Sequence, residues 1–196
     1  MNRESNYQSA FQELEEQVKR CDRCGLCSSR TQTVFGEGKL NSKLMLVGEA
    51  PGEDEDKTGR PFVGRAGQLL DKILIAAKID RQAAYVANVV KCRPPNNRTP
   101  TQDEILKCGG FLEAQIALIK PKILVALGNT PLKFFLKVSG GITKMRGQWQ
   151  MWRGVPLFAM FHPSYLLRED SRAVGSPKEL TWHDVQELKL RLDELN

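Results

Sequence analysis

The sequence of 196 residues has no long apolar run and no apolar leader at its start. No stretch approaches the 18 or so apolar residues of a membrane-spanning helix, so no helical span and no membrane partner are expected. The first twenty residues carry seven charged side chains, which argues against a secretion signal. We therefore expect a cytoplasmic protein.

Acidic residues are missing from a long segment, residues 114–168, which contains eight lysines and arginines. The whole chain carries a net charge of +6. An uneven positive charge is typical of proteins that bind a polyanion, and nucleic acid is the natural candidate. A solvated basic surface is the alternative that charge alone leaves open.

The five cysteines are too few and too unevenly placed for a disulfide framework. Cys21 and Cys24 form a C-x2-C pair, whereas Cys92 and Cys108 lie far along the chain. Four thiolates suit zinc or an iron-sulfur cluster, and the spacing does not choose between them. Cys27 extends the first pair and is either a substitute ligand or a free buried thiol.

Four short runs rich in branched residues predict β-strands, at 43–47, 84–90, 122–127 and 155–161. They are almost continuously apolar, as is typical of parallel strands covered by helices on both faces. Helices are predicted between them, over 67–78 and from a capping box at Thr101 and Glu104 toward Lys120. The pattern predicts an α/β fold, a three-layer sandwich around a four-stranded parallel sheet.

We find no boundary between domains and predict one domain over 1–196. Its peripheral parts are an N-terminal helix with the first cysteines in 1–42, a mobile loop over 169–178 and a C-terminal helix over 180–195. Each predicted strand is followed by a polar or glycine-bearing turn. In a parallel sheet these turns emerge at one edge, where ligands of such sheets bind.

Five carboxylates crowd the first turn and the residues after it, at Glu49 and 53–56. They either bind a cation or mostly face water, with one or two turned into a site. Three further residues are candidates for the site: Phe62 in a glycine-rich loop, Asn88 inside an apolar strand and His162 at a strand end. Asn88 and His162 each need a partner or a ligand in such places, since buried polar groups are normally hydrogen-bonded.

Four segments together identify a family. Gly48-Glu-Ala-Pro-Gly52, Gly59-Arg-Pro-Phe-Val-Gly-Arg-Ala-Gly67, Asn88-Val-Val-Lys-Cys-Arg-Pro-Pro95 and His162-Pro-Ser-Tyr-Leu-Leu-Arg168, in this order and with the cysteines, resemble the family 4 uracil-DNA glycosylases. The resemblance runs from about Cys21 to Arg168. It implies a four-stranded parallel sheet and excision of uracil from DNA.

The resemblance also implies roles for individual residues. Phe62 would stack on the flipped uracil, Asn88 would pair with its polar edge, and Glu55 would shape the pocket near uracil C5. Glu49 and His162 would be catalytic, His162 facing the carbonyl that gains charge. A [4Fe-4S] cluster would be held by Cys21, Cys24, Cys92 and Cys108. Ala50 stands where the best-known glycosylase family has an aspartate that orients water.

The segment after His162 would contact DNA. Leu166 and Leu167 are expected to fill the gap left in the base stack, and Ser164 and Arg168 to hold backbone phosphates. The expected partner is uracil-containing DNA, single- or double-stranded, bound by a monomer. Two other function classes stay open at this point, a metal-dependent nuclease that uses the acidic run and a non-catalytic iron-sulfur module that binds nucleic acid.

Overall fold

The computed structural model describes residues 3–136, 138–169 and 171–195, with the side chains of residues 3–5 left aside. Two residues of features predicted above, Lys137 of the basic segment and Asp170 of the loop, lie outside the described residues. The eight helices in these ranges are α1 (Arg3–Lys19), α2 (Glu53–Thr58), α3 (Arg65–Ala76), α4 (Gln102–Ile119), α5 (Asn129–Leu136), α6 (Ile142–Met145), α7 (Pro163–Leu166) and α8 (Pro177–Asp193).

The sheet has five strands in the described residues, in the order β2-β1-β3-β5-β4. They are β1 (Leu44–Gly48), β2 (Ala84–Asn88), β3 (Ile123–Leu127), β4 (Trp149–Trp152) and β5 (Val155–Met160). β1, β2, β3 and β5 are parallel, so the four predicted parallel strands are confirmed. β4 was not predicted; it pairs antiparallel with β5 at the sheet edge.

Helices cover both faces of the sheet, because successive residues of each buried strand point to opposite sides. Met45 and Val47 of β1 pack under α1, α4 and α5. Leu44 and Leu46 pack under α3 and α8 on the other side. The three-layer α/β architecture expected from the continuous apolar runs is therefore present.

The helix ends follow local sequence signals. At the start of α4, Thr101 Oγ1 accepts from the backbone N–H of Glu104 at 3.2 Å, and Glu104 accepts from the N–H of Thr101 at 2.7 Å, as the capping-box pattern predicted. α8 begins at Pro177, so it takes up the end of the loop expected over 169–178. None of the helices in the described ranges is long and apolar enough to cross a membrane.

Candidate active site

The turns after β1, β2, β3 and β5 meet at one edge of the sheet and line an open cavity of about 1330 Å³. Glu49 follows β1, Asn88 ends β2 and His162 follows β5, while Phe62 reaches the cavity from the loop between α2 and α3. The sequence predicted Asn88 inside a strand over 84–90 and the other three in separate turns and loops. The strand ends at Asn88 instead, two residues early, and parallel pairing of the strands brings the four residues together.

Asn88 is a buried amide with a free acceptor. The residue is 2% exposed, and its Oδ1 atom has no hydrogen-bond partner among the described residues. A buried oxygen without a donor costs roughly 1–3 kcal/mol, so such an atom is rare unless a ligand supplies the donor. Asn88 is therefore placed to recognise an N–H or O–H group that enters the cavity.

Glycines keep the space beside Asn88 open. A Cβ on Gly48 would lie 2.4 Å from Oδ1 of Asn88 and 2.5 Å from Cζ of Phe62. A Cβ on Gly67, in the first turn of α3, would lie 1.8 Å from the carbonyl oxygen of Phe62. The close approach of α3 holds Phe62 in a left-handed backbone conformation, with φ 54°. The ring and the amide thus stand next to each other with room for a flat ligand only while position 48 is glycine.

Glu55 organises the loop that carries Phe62. It is 8% exposed, and its carboxylate accepts from the backbone N–H groups of Gly52 at 3.0 Å, Val63 at 2.9 Å and Gly64 at 2.8 Å. These bonds tie the turn after β1 to the residues that follow Phe62. Glu55 lines the cavity and accepts hydrogen bonds from both loops.

His162 is held neutral with a defined tautomer. Its Nδ1 accepts from the backbone N–H of Ser164 at 3.1 Å and lies 2.8 Å from the Ser164 hydroxyl. A ring nitrogen that accepts carries no proton, so the proton of the neutral ring is on Nε2. Burial and, to a lesser extent, the positive charge of Arg168 lower the pKa of His162 to about 4. The ring is also close to Phe62, with 5.8 Å between ring centroids.

Glu49 has a partner that the sequence did not reveal. Its Oε2 accepts from the hydroxyl of Thr130 at 2.5 Å, and both residues line the cavity. Thr130 follows the Gly128-Asn129 turn after β3. A hydroxyl two residues after a strand-ending glycine was the available signal, and it is a weak one.

The segment after His162 forms α7, a single helical turn, and in this segment one leucine is buried and the next is exposed. Leu166 is 2% exposed and packs in the core, so the structure departs from the expectation that it enters DNA. Leu167 is 37% exposed and Arg168 lies at the surface beside the cavity. The hydroxyl and N–H of Ser164 are directed at His162.

The four separated cysteines face one small internal cavity. Cys21, Cys24, Cys92 and Cys108 line it together with Cys27. No group of three or more His, Cys, Asp or Glu side chains within the described ranges could hold a metal ion. A single zinc ion draws four sulfurs to about 2.3 Å from one point, whereas a cuboidal cluster binds its thiolates at four separate irons.

Nitrogen donors approach the sulfurs. Arg30 donates from Nη1 to Cys92 Sγ at 3.3 Å, and the backbone N–H of Lys91 donates to Cys108 Sγ at 3.2 Å. Burial raises the pKa of the Cys92 thiol and raises that of Cys108 to about 11. Soft sulfur ligands with N–H donors around them fit an iron-sulfur cluster.

The acidic run separates into surface and buried members. Glu53 and Asp54 are exposed, whereas Asp56 is 3% exposed and accepts from the backbone N–H of Thr31. The buried acids Glu55 and Asp56 thus accept from backbone N–H groups of the protein. Among the described residues, no cluster of three or more His, Cys, Asp or Glu side chains is placed to hold a cation. This arrangement gives no support to a nuclease that uses a divalent metal.

Comparison with known proteins places this site in a family. The model of the family described as the uracil DNA glycosylase superfamily matches residues 35–186. The chain belongs to the uracil-DNA glycosylase superfamily. The matched range contains the four motif segments, Cys92 and Cys108, while Cys21 and Cys24 precede it.

Similar proteins point to one branch of the superfamily. The chain is 51% identical over 180 residues to the Type-4 uracil-DNA glycosylase of Thermotoga maritima, covering 90% of this chain and 91% of the relative. It is 42% identical over 167 residues to the Type-4 uracil-DNA glycosylase of Sulfurisphaera tokodaii, covering 81% and 76%. A Type-5 uracil-DNA glycosylase of Pyrobaculum aerophilum is 33% identical over 146 residues, covering 66% and 64%. The resemblance to family 4 uracil-DNA glycosylases is confirmed.

Positive charge on the basic segment, residues 114–168, is partly used inside the protein. Arg153 pairs with Glu113, Arg146 pairs with Asp184, and Lys120 donates to the hydroxyl of Tyr7. Lys133 and Arg168 line the cavity instead. The number of basic residues in the sequence thus overstates the charge that faces the site.

Proposed function

We propose that this chain is a DNA repair enzyme that flips uracil out of DNA and hydrolyses its N-glycosidic bond, leaving an abasic site. The observation that carries the proposal is the buried, unpartnered Oδ1 of Asn88 beside the Phe62 ring in the cavity at the carboxyl ends of the strands. A base cannot react inside a stacked duplex, so it must be extruded into a pocket of this kind.

Asn88 and Phe62 hold the base. The free Oδ1 of Asn88 accepts from N3–H of uracil, and the side-chain amide group donates to O4. Cytosine has an acceptor at N3 and an amino group at C4, so the same amide faces a mismatched edge. Phe62 stacks on the flat face of the ring, and Glu55 keeps the Phe62 loop closed against the turn after β1.

His162 and Glu49 act on the bond that breaks. As the glycosidic bond breaks, negative charge develops on the uracil carbonyl oxygens and positive charge on the sugar. The neutral imidazole of His162 donates from Nε2 to the carbonyl that gains charge. The Glu49 carboxylate supplies negative charge near the sugar and accepts from the attacking water, a role that the side chain of Ala50 cannot perform.

The surface around the pocket holds the DNA strand. Leu167, the exposed leucine of the segment, fills the gap that the flipped base leaves, while Arg168 contacts a phosphate. We propose that the chain acts as a monomer on single- or double-stranded DNA, because one chain contributes all of the site residues named above.

A [4Fe-4S] cluster on Cys21, Cys24, Cys92 and Cys108 completes the proposal. When bound, the cluster supplies four iron-thiolate bonds that tie the N-terminal segment to the loop after β2 and to α4. Lys91, next to Cys92, donates from Nζ to the backbone oxygen of Asn88 at 2.9 Å. The cysteine loop is thereby joined to the strand end that reads the base.

The test is base release from an oligonucleotide that carries one uracil. With a chelator present, we expect no strand break until alkali is added, and then a break only at the uracil. A matched oligonucleotide with thymine at that position should stay intact. Magnesium-dependent breaks before alkali would indicate a nuclease, and binding without base release would indicate a binding module. Either result would contradict the proposed function.

A further inference from the structure

Thr130 makes a contact that brings two turns of the site together. It lies in the first turn of α5 and is 7% exposed, and its hydroxyl donates a hydrogen bond to Oε2 of Glu49 at 2.5 Å. Glu49 comes from the turn after β1, and Thr130 from the turn after the neighbouring parallel strand β3. The contact therefore depends on strand pairing across 81 positions of sequence.

A hydroxyl in this position limits what the carboxylate can do. Threonine has one O–H donor, and a hydrogen bond to a charged acceptor is about twice as strong as one between neutral groups. A glutamate side chain has several rotatable bonds, and a donor fixed on a helix favours one orientation of the carboxylate before substrate binds. Orientation fixed in advance lowers the barrier of the step that uses it.

We propose that Thr130 is a positioning residue, which orients the Glu49 carboxylate for cleavage of the glycosidic bond. The inference rests on the proposed function and adds to it a residue that acts only through Glu49. Thr130 engages one carboxylate oxygen, so the other is directed by the same contact. This orientation should therefore raise the rate of the chemical step and leave the affinity for DNA unchanged.

The experiment compares Thr130→Val, which keeps the shape and loses the donor, with Thr130→Ser, which keeps the hydroxyl. Under single-turnover conditions the Val variant should release uracil roughly 10- to 100-fold more slowly than wild type, and the Ser variant should recover most of that loss. Affinity for an uncleavable uracil analogue in DNA should be within about threefold for both, because no base or phosphate contact is removed.

Thr181→Val is the matched control. Thr181 is 3% exposed in α8, and its hydroxyl donates to the carbonyl oxygen of Pro177 at 2.7 Å. This control loses a buried threonine donor outside the cavity, so its melting temperature should fall while its rate of uracil release stays at the wild-type value. Thermal melts and iron content are measured on every preparation.

A double-mutant cycle separates positioning from a merely structural role. In a Glu49→Ala background, Thr130→Val should slow the residual reaction by less than about threefold, because no carboxylate remains to be oriented. A full additional loss in that background, or a wild-type rate for Thr130→Val alone, would overturn the inference. An inactive wild-type protein would instead overturn the proposed function, and the two failures are therefore distinguishable.

Discussion

Replacement of His162 by alanine tests the central step of the mechanism. We expect single-turnover release of uracil to slow by about 100- to 1000-fold, with duplex affinity within a few-fold of wild type. The imidazole donates to charge that develops mainly in the transition state, so its loss affects the rate more than binding. Leu167 and Arg168, the proposed DNA contacts, are unchanged in this variant.

The magnitude follows from the environment of the ring. The pKa of His162 falls from 6.5 to about 4, so roughly one ring in a thousand is protonated at pH 7. The donor is therefore a neutral N–H at Nε2, since Nδ1 accepts from Ser164. Loss of one such preorganised donor costs about 2.7–4 kcal/mol of transition-state stabilisation, which corresponds to the expected range of rates.

The same pKa sets the pH dependence. The unfolded chain binds a proton on this ring near pH 6.5 and the folded chain only near pH 4. Stability is therefore complete above pH 6.5 and is lost as the pH falls toward 4, by up to about 3 kcal/mol from this group. Between pH 5.5 and 8, His162 stays neutral, and the rate should show no inflection that depends on it.

The assay measures base release and DNA binding on one folded preparation, from about pH 5 to 8 in steps. His183→Ala is the matched control, because His183 is an exposed histidine of α8 that contacts Glu179. It should leave the rate unchanged. A near-normal rate for the His162 variant would refute the role, and so would a wild-type inflection near pH 6.5 that the variant lacks. Equal losses of rate and binding would mean that His162 only supports its loop.

Three further predictions concern recognition, DNA contact and the cluster. Asn88→Asp should weaken excision of uracil and admit cytosine, because the carboxyl group lacks the amide N–H that donates to O4 of uracil and can accept from the amino group of cytosine; unchanged uracil kinetics would remove Asn88 from the site. Leu167→Ala should slow excision from duplex more than from single strands with little change in melting temperature, whereas Leu166→Ala should destabilise the fold by about 2–5 kcal/mol; the reverse pattern would restore Leu166 as the wedge. Cys92→Ala should lose iron and solubility while Cys27→Ala retains both, measured by iron and sulfide analysis after anaerobic purification; stoichiometric zinc in protein expressed with ample iron would contradict the cluster.

Local signals in the sequence determined the parallel core and the motif-bearing turns. The runs at 43–47 and 122–127 are apolar on both faces, which is typical of a covered parallel strand, and β1 and β3 lie there within a residue or two. The capping box at Thr101 involves neighbours three residues apart, so it too could be seen in advance. The edge strand β4 could not be predicted from the sequence. Its two-residue turn to β5, Arg153-Gly154, has positive φ at both residues but lacks the usual Asn-Gly signature.

The tertiary structure alone decided what depends on distant contacts or on the direction of a side chain. Leu166 is buried because α7 places it three residues after Pro163, on the face toward the core, while Leu167 points away from it. Glu49 is held by Thr130 because β1 and β3 pair in parallel. Glu55 accepts from backbone N–H groups of two loops, a role that its position in the acidic run did not reveal. Residue types and their order indicate which chemistry a chain can perform. Which acid is free to perform it depends on where the backbone N–H groups and hydroxyls of other segments lie, and strand pairing settles that.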